Sequence, residues 1–289
     1  MKTILLLLTI SSTVVGGADP AWEYLDNGRI RLGMNTNAAA CIGFFAESKT
    51  GRNLLNHYDE GRYLQQSWYG QRDGSLWNQK PWVWNPVQGG SWRGRPAKLL
   101  HFEKSKTNSY AKGHPRHWAA GDLLTNVVME TWVELEDSVA EIRFRMTYRG
   151  KTKHPRKSQE MPAVFIDYAL PSLVYYRGKQ PWTGGALHRV IPTWPNQYDE
   201  LPENWAAYLD ENDWGIGVYS PGFDRMTFYR HPGKTGPKGG GCSYFAPITK
   251  LAITPGFQHE YRVYLTIGQL DEIRSRFRKI RDRNLSPDK

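Results

Sequence analysis

Strand-like stretches dominate this chain, and in the clearest of them apolar and polar positions alternate with a period of two, the repeat that turns one face of a strand to a core and the other to water. Val127–Leu135 and Val139–Tyr148 keep the alternation best, and Glu136-Asp137-Ser138 between them predicts a hairpin turn. Trp205–Leu209 and Gly215–Tyr219 form a second such pair across Asp210–Trp214. Further strands are expected at Arg29–Met34, Ala39–Ala46, Ala163–Ala169, Met226–Tyr229 and Tyr261–Ile267. Only Asp271–Arg283 follows a helical repeat, with Ile273, Phe277 and Ile280 on one face. The pattern predicts an all-β antiparallel sandwich with a short C-terminal helix. Gln71–Pro96 and Arg149–Gln159 break it and read as long loops, and the glycine-rich Gly233–Gly241 reads as a mobile one.

The start of the chain follows a different rule. Met1-Lys2, the apolar run Ile4–Ile10 and small residues up to Ala18 predict a secretion signal over residues 1–18, hence a secreted or periplasmic protein. Residues 19–289 are then expected to form a single β-sandwich domain. The apolar run is too short to span a bilayer, and a mean hydropathy of −0.62 gives no reason to expect membrane insertion. Export permits a Cys41–Cys242 disulfide, and two buried free thiols fit the sequence equally well.

Composition narrows the partners. The formal net charge of +10, with 13% aromatic residues, suggests an anionic partner for an exported protein. The charges are scattered and do not stripe one helix, so nucleic acid is not expected and an acidic polysaccharide or oligosaccharide fits better. No histidine or cysteine spacing resembles a metal site, no glycine-rich phosphate loop has the right context, and no cofactor is implied.

Candidate chemistry concentrates in three segments. Asn56–Gly70 is dense in polar and aromatic residues. If Tyr63–Tyr69 is a strand, Arg62, Gln66 and Trp68 share one parity and Tyr63, Gln65, Ser67 and Tyr69 the other. Neither face is apolar enough for ordinary core, which points to a polar cleft floor or to a buried hydrogen-bond network. Lys80–Trp92 brings Trp84, Asn85 and Gln88, indole and amide groups suited to sugar rings and hydroxyls. In Ser158–Phe165 the acid Glu160 directly precedes an apolar stretch, where a carboxyl can act as acid or base or pair with Arg156 or Lys157.

Gly51-Arg52-Asn53-Leu54-Leu55-Asn56 followed by Asp59-Glu60-Gly61-Arg62 resembles the opening of galactose-mutarotase-like β-sandwich proteins. With Trp84-Asn85-Pro86, Gln159-Glu160-Met161-Pro162 and Glu203-Asn204-Trp205-Ala206-Ala207, the chain is similar to uncharacterised secreted proteins of polysaccharide-degrading bacteria. The resemblance implies a twisted antiparallel supersandwich with a carbohydrate cleft on its concave face. The paired His and Glu of true mutarotases have no obvious match here.

Three functions follow. A polysaccharide lyase would use His57 or Tyr69 as base and acid, with Arg62 and Gln65 or Gln66 clamping a uronate carboxylate. A glycoside hydrolase would use Asp59 and Glu160, with Glu203 and Asp199 in reserve. A non-catalytic carbohydrate-binding protein would need little beyond the tryptophans. Charge favours the lyase. The expected site is therefore His57, Tyr69, Arg62, Asp59 and Glu160 for catalysis, with Gln65, Gln66, Trp68, Trp84, Asn85 and Gln88 on the substrate.

Overall fold

The structure, a computed structural model, describes residues 21–285; the expected secretion signal lies outside them. Two antiparallel sheets face each other. The larger has nine strands, in spatial order Leu187–Val190, Ser172–Tyr176, Trp205–Leu209, Trp214–Tyr219, Gln258–Gln269, Val139–Tyr148, Val127–Glu136, Asn108–His114 and Lys98–Lys104. The smaller has seven, in order Arg116–His117, Pro86–Val87, Gln65–Ser67, His154–Asp167, Cys242–Ile253, Arg225–His231 and Gln197–Glu200. A three-stranded sheet of Trp22–Asp26, Ile30–Asn35 and Cys41–Glu47 adjoins them. The all-β expectation and the lone C-terminal helix both hold.

Alternation explains the core. In Val139–Tyr148, Ala140, Ile142, Phe144, Met146 and Tyr148 point inward and are buried. They meet Trp68, Val164, Ile166 and Phe245 of the seven-stranded sheet in one continuous apolar cluster. The expected hairpin is present with Glu136 paired to Val139, and Asp137 takes the left-handed conformation that a tight turn requires.

The helix Leu270–Leu285 packs on the outer face of the nine-stranded sheet through Ile273, Phe277 and Ile280, against Trp205, Tyr219 and Tyr264. It approaches closely because Gly217 sits beneath it; a Cβ there would collide with Ile273 and press on Phe277. Glu203, fully buried, anchors the helix by accepting from Arg274 at 2.8 Å and from the Trp205 indole at 2.8 Å.

Three expectations need correction. Arg149–Gln159 is not a long loop, because the central strand of the small sheet begins at His154 and runs through Pro162 to Asp167. Its pairing shifts register between Glu160 and Val164, a bulge of the kind that accommodates a proline inside a sheet. Gln71–Pro96 contains a separate two-stranded hairpin, Arg72–Trp77 with Lys80–Val83, turned by Asn78 and Gln79 at positive φ. Cys41 and Cys242 are both free and buried, so the disulfide alternative fails.

Gly217→Val is expected to lower stability by about 1–3 kcal/mol through overpacking beneath the helix. Chemical denaturation checks this, and an unchanged midpoint would contradict the close helix–sheet contact.

Candidate functional site

The polar segment around Gln65–Ser67 splits by parity into two roles. Gln65, Ser67 and Tyr69 face outward into a cleft on the exposed face of the small sheet. Gln66 and Trp68 face inward. Gln66 donates to the carbonyls of Glu130 and Arg145 at 3.3 and 3.2 Å, so it ties the small sheet to the large one across the core. Gln88 does the same through Thr131 at 2.7 Å.

Glu160 lies on the floor of the cleft, on the central strand. Its Oε2 accepts from the Tyr69 phenol at 2.8 Å. Tyr69 is fixed in turn by the buried Gln159, whose Oε1 accepts from the Tyr69 amide at 2.6 Å and whose Nε2 donates to its carbonyl at 3.0 Å. Burial pushes the Glu160 carboxyl above the ordinary carboxylate range, and hydrogen bonds from Tyr244, Tyr69 and Ser67 pull it only part of the way back. Burial drives Tyr69 and Tyr244 well above the usual phenol value, and the neighbouring Glu160 adds to this. These phenols therefore stay protonated and act as donors.

The walls are aromatic, and the cleft measures about 730 Å³. On one side stand Trp77 and Trp82, with ring centroids 4.9 Å apart, and Trp92 and Trp118. On the other, Tyr229 stacks on Tyr244 at 4.4 Å, and Trp194 sets its edge against Tyr229 and His231. Asp59 and Arg62 line the cleft too, 4.0 Å apart. Burial raises the Asp59 carboxyl against the pull of Arg62. The Arg62 guanidinium also donates to the Gly240 carbonyl at 2.9 Å.

Of the expected residues, Tyr69, Arg62, Asp59, Glu160, Gln65 and Asn85 meet in this cleft. The amide groups of Gln65 and Asn85 are engaged with protein: Gln65 with Gly61 and Gly89, Asn85 with the Trp68 carbonyl and the Trp82 indole. His57, Gln66, Trp68, Trp84 and Gln88 do not line the cleft. His57 packs against Trp22 at 4.8 Å, where burial and then Lys238 lower its pKa to about 4 and keep it neutral. Trp68 and Trp84 point into the core, Trp84 stacked on His154 at 4.1 Å. Of the reserve acids, Glu203 belongs to the helix anchor and Asp199 accepts from Tyr175 at 2.6 Å. Sequence reasoning missed Trp194, Tyr229, His231 and Tyr244, which the sheet order brings to the cleft from far along the chain.

Among the described residues no cluster of three or more His, Cys, Asp or Glu side chains is arranged to hold a metal ion, and no helix is long and apolar enough to cross a membrane.

The fold has counterparts in solved structures. The chain superposes on a galactose mutarotase related enzyme from Lactobacillus acidophilus with a TM-score of 0.55 and 11% identity, covering 85% of this chain and 97% of the other. The fold is galactose-mutarotase-like. A galactose mutarotase-like protein from Lactobacillus casei gives 0.56 at 11% identity, covering 85% and 99%. Another from Clostridium acetobutylicum gives 0.52 at 7%, covering 86% and 95%. No family model and no curated protein matches the sequence.

One cleft wall is held by side-chain tethers. Among the described residues the hairpin bearing Trp77 and Trp82 pairs with no other strand, but its Trp82 indole donates to Asn85 at 3.2 Å and its Asp73 accepts from His117 Nε2 at 2.7 Å. The His117 tautomer is set by its Nδ1, which accepts the Ala119 and Ala120 amides at 3.2 Å. Burial alone would raise the Asp73 carboxyl; Ser75 and His117 outweigh it and hold it below the usual range. Asp73→Asn weakens this tether, so amide exchange across Arg72–Val83 should quicken about tenfold while the sheets keep their protection. Unchanged exchange in the hairpin would show that the tether does not hold the wall.

Proposed function

We propose that this protein is a carbohydrate-active hydrolase in which Glu160 donates the proton to the departing glycosidic oxygen. The observation that carries the reading is a carboxyl with a raised pKa, hydrogen-bonded by Tyr69, on the floor of a cleft walled by tryptophan and tyrosine. A general acid must hold its proton near the working pH, and burial at the foot of the phenols supplies that condition.

In the proposed step water bonds to the anomeric carbon as the carbon–oxygen bond to the leaving sugar breaks. The leaving oxygen takes the Glu160 proton, and Asp59 takes the proton from water. Burial raises the Asp59 carboxyl, and Arg62 beside it pulls part of the way back toward the charged form that a base uses. Elimination on a uronic acid is less well supported. Of its two named acid–base groups, His57 lies outside the cleft, and Tyr69, which keeps its proton, can donate one but cannot take the base's part. With Glu160 protonated, the lining sets Arg62 against Asp59 and leaves no cation over for a polyanion.

Incubation with a panel of neutral polysaccharides should release new reducing ends, and Glu160→Gln should cut kcat by about 10²–10⁴-fold while binding survives. The wild-type rate should fall on the alkaline side as Glu160 loses its proton, at a pH above the ordinary carboxylate range because the folded-state value is raised. Full activity in Glu160→Gln would end this reading. So would unsaturated products from acidic polysaccharides without hydrolysis of neutral ones.

A further inference from the structure

Glu160 stands on the fourth of the seven strands in the small sheet, and aromatic rings of the lining gather toward both edges, half-buried at one and exposed at the other. Trp82, Trp92 and Trp118 adjoin the strands Pro86–Val87 and Arg116–His117 at one side. Trp194 and Tyr198 belong to the opposite edge, beside and within Gln197–Glu200. From Pro86–Val87 to Gln197–Glu200 the sheet crosses five interstrand spacings, about 24 Å at ~4.8 Å each. That is several times the width of a sugar ring.

The rings at the Gln197–Glu200 edge are also exposed beyond what folding asks of them. Trp194 is 51% and Tyr198 62% exposed, and both still line the cleft. Large rings left in water along a groove mark a surface kept for a ligand with apolar faces. A single sugar over Glu160 could not reach both edges.

We propose that the cleft takes a neutral oligosaccharide chain laid across the strands, with sugar subsites on both sides of Glu160, so that the carboxyl lies under an internal linkage. The cleavage of that linkage rests on the hydrolase reading; the binding of a chain rests on the placement of the rings. The balance of charge in the lining, Arg62 against Asp59 beside a protonated Glu160, suits uncharged sugars.

The test uses Glu160→Gln protein, which should hold a chain without turning it over. Calorimetric titration with ladders from monosaccharide to hexasaccharide, drawn from β-glucan, xylan, mannan, galactan and starch, reads affinity against length. In at least one ladder affinity should rise about tenfold or more from disaccharide to hexasaccharide. Adding Trp194→Ala with Tyr198→Ala, or Trp77→Ala with Trp82→Ala, should each remove most of that rise and leave the circular dichroism spectrum unchanged. A monosaccharide bound as tightly as the hexasaccharide, a loss confined to one flank, or no binding in any ladder would overturn the proposal. Length-dependent binding alongside a wild-type protein that releases no reducing ends would end the hydrolase reading and leave the chain site standing.

Discussion

The bulge at Met161–Pro162 in the central strand governs which side chains reach the cleft. Before it, Ser158 and Glu160 face the cleft while Gln159 is buried inside; after it, Ala163 and Phe165 face the cleft while Val164 and Ile166 enter the core. An unbulged strand of this sequence would keep one parity throughout. Either Glu160 would turn into the apolar core or Val164 and Ile166 would turn out to water, each at a cost of kcal/mol. The extra residue lets one strand serve a polar site along half its length and an apolar core along the other half. The proline sits where the ladder is already interrupted, so its missing N–H leaves no regular pairing to break.

Around that strand, polar residues divide between holding and facing. Gln66 and Gln88 reach across the core to the large sheet, and Gln159 grips the Tyr69 backbone. Buried amides with fixed partners keep the sheet register, and register decides where Tyr69 meets Glu160. The floor is preorganised by groups that never touch the cleft. The contact of Tyr69 with Glu160 thus depends on an amide network whose members look, residue by residue, like binding groups themselves.

That likeness explains how far the sequence could be read. Strong alternation in Val139–Tyr148 and the i, i+4, i+7 stripe of Ile273, Phe277 and Ile280 are local signals, and they gave the architecture. The cleft was read in part: Asp59, Arg62, Gln65, Tyr69, Asn85 and Glu160 all line it. Gln66, Trp68, Trp84 and Gln88 were assigned to the wrong side because facing depends on register, which composition does not encode. Parity did separate Gln65 from Gln66, but nothing local says which parity meets the core. Trp194, Tyr229 and Tyr244 carried no signal, since only sheet order brings them to Glu160. Pro162 misled the strand boundary, as a bulge is not visible in a single strand's pattern.

The glycine-rich segment Gly233–Gly241 shows the same physics from the opposite direction. Its composition suggests mobility, yet the Asn56 side chain donates to the carbonyls of Gly239 and Gly241 at 2.9 and 3.1 Å, and Asp167 accepts the Gly236 amide at 2.9 Å. A side chain on Gly239 would strike the Lys234 and Thr235 carbonyls, so glycine here permits close backbone approach. The carbonyls so gathered are useful: that of Gly240 accepts from Arg62 and steadies a guanidinium whose other neighbour is Asp59. Without that hold, an arginine at a cleft rim would trade its position for solvent, and Asp59 would lose the cation that offsets its burial. The loop is built from glycine because a folded main chain, and not a side chain, supplies the acceptor that keeps Arg62 beside Asp59.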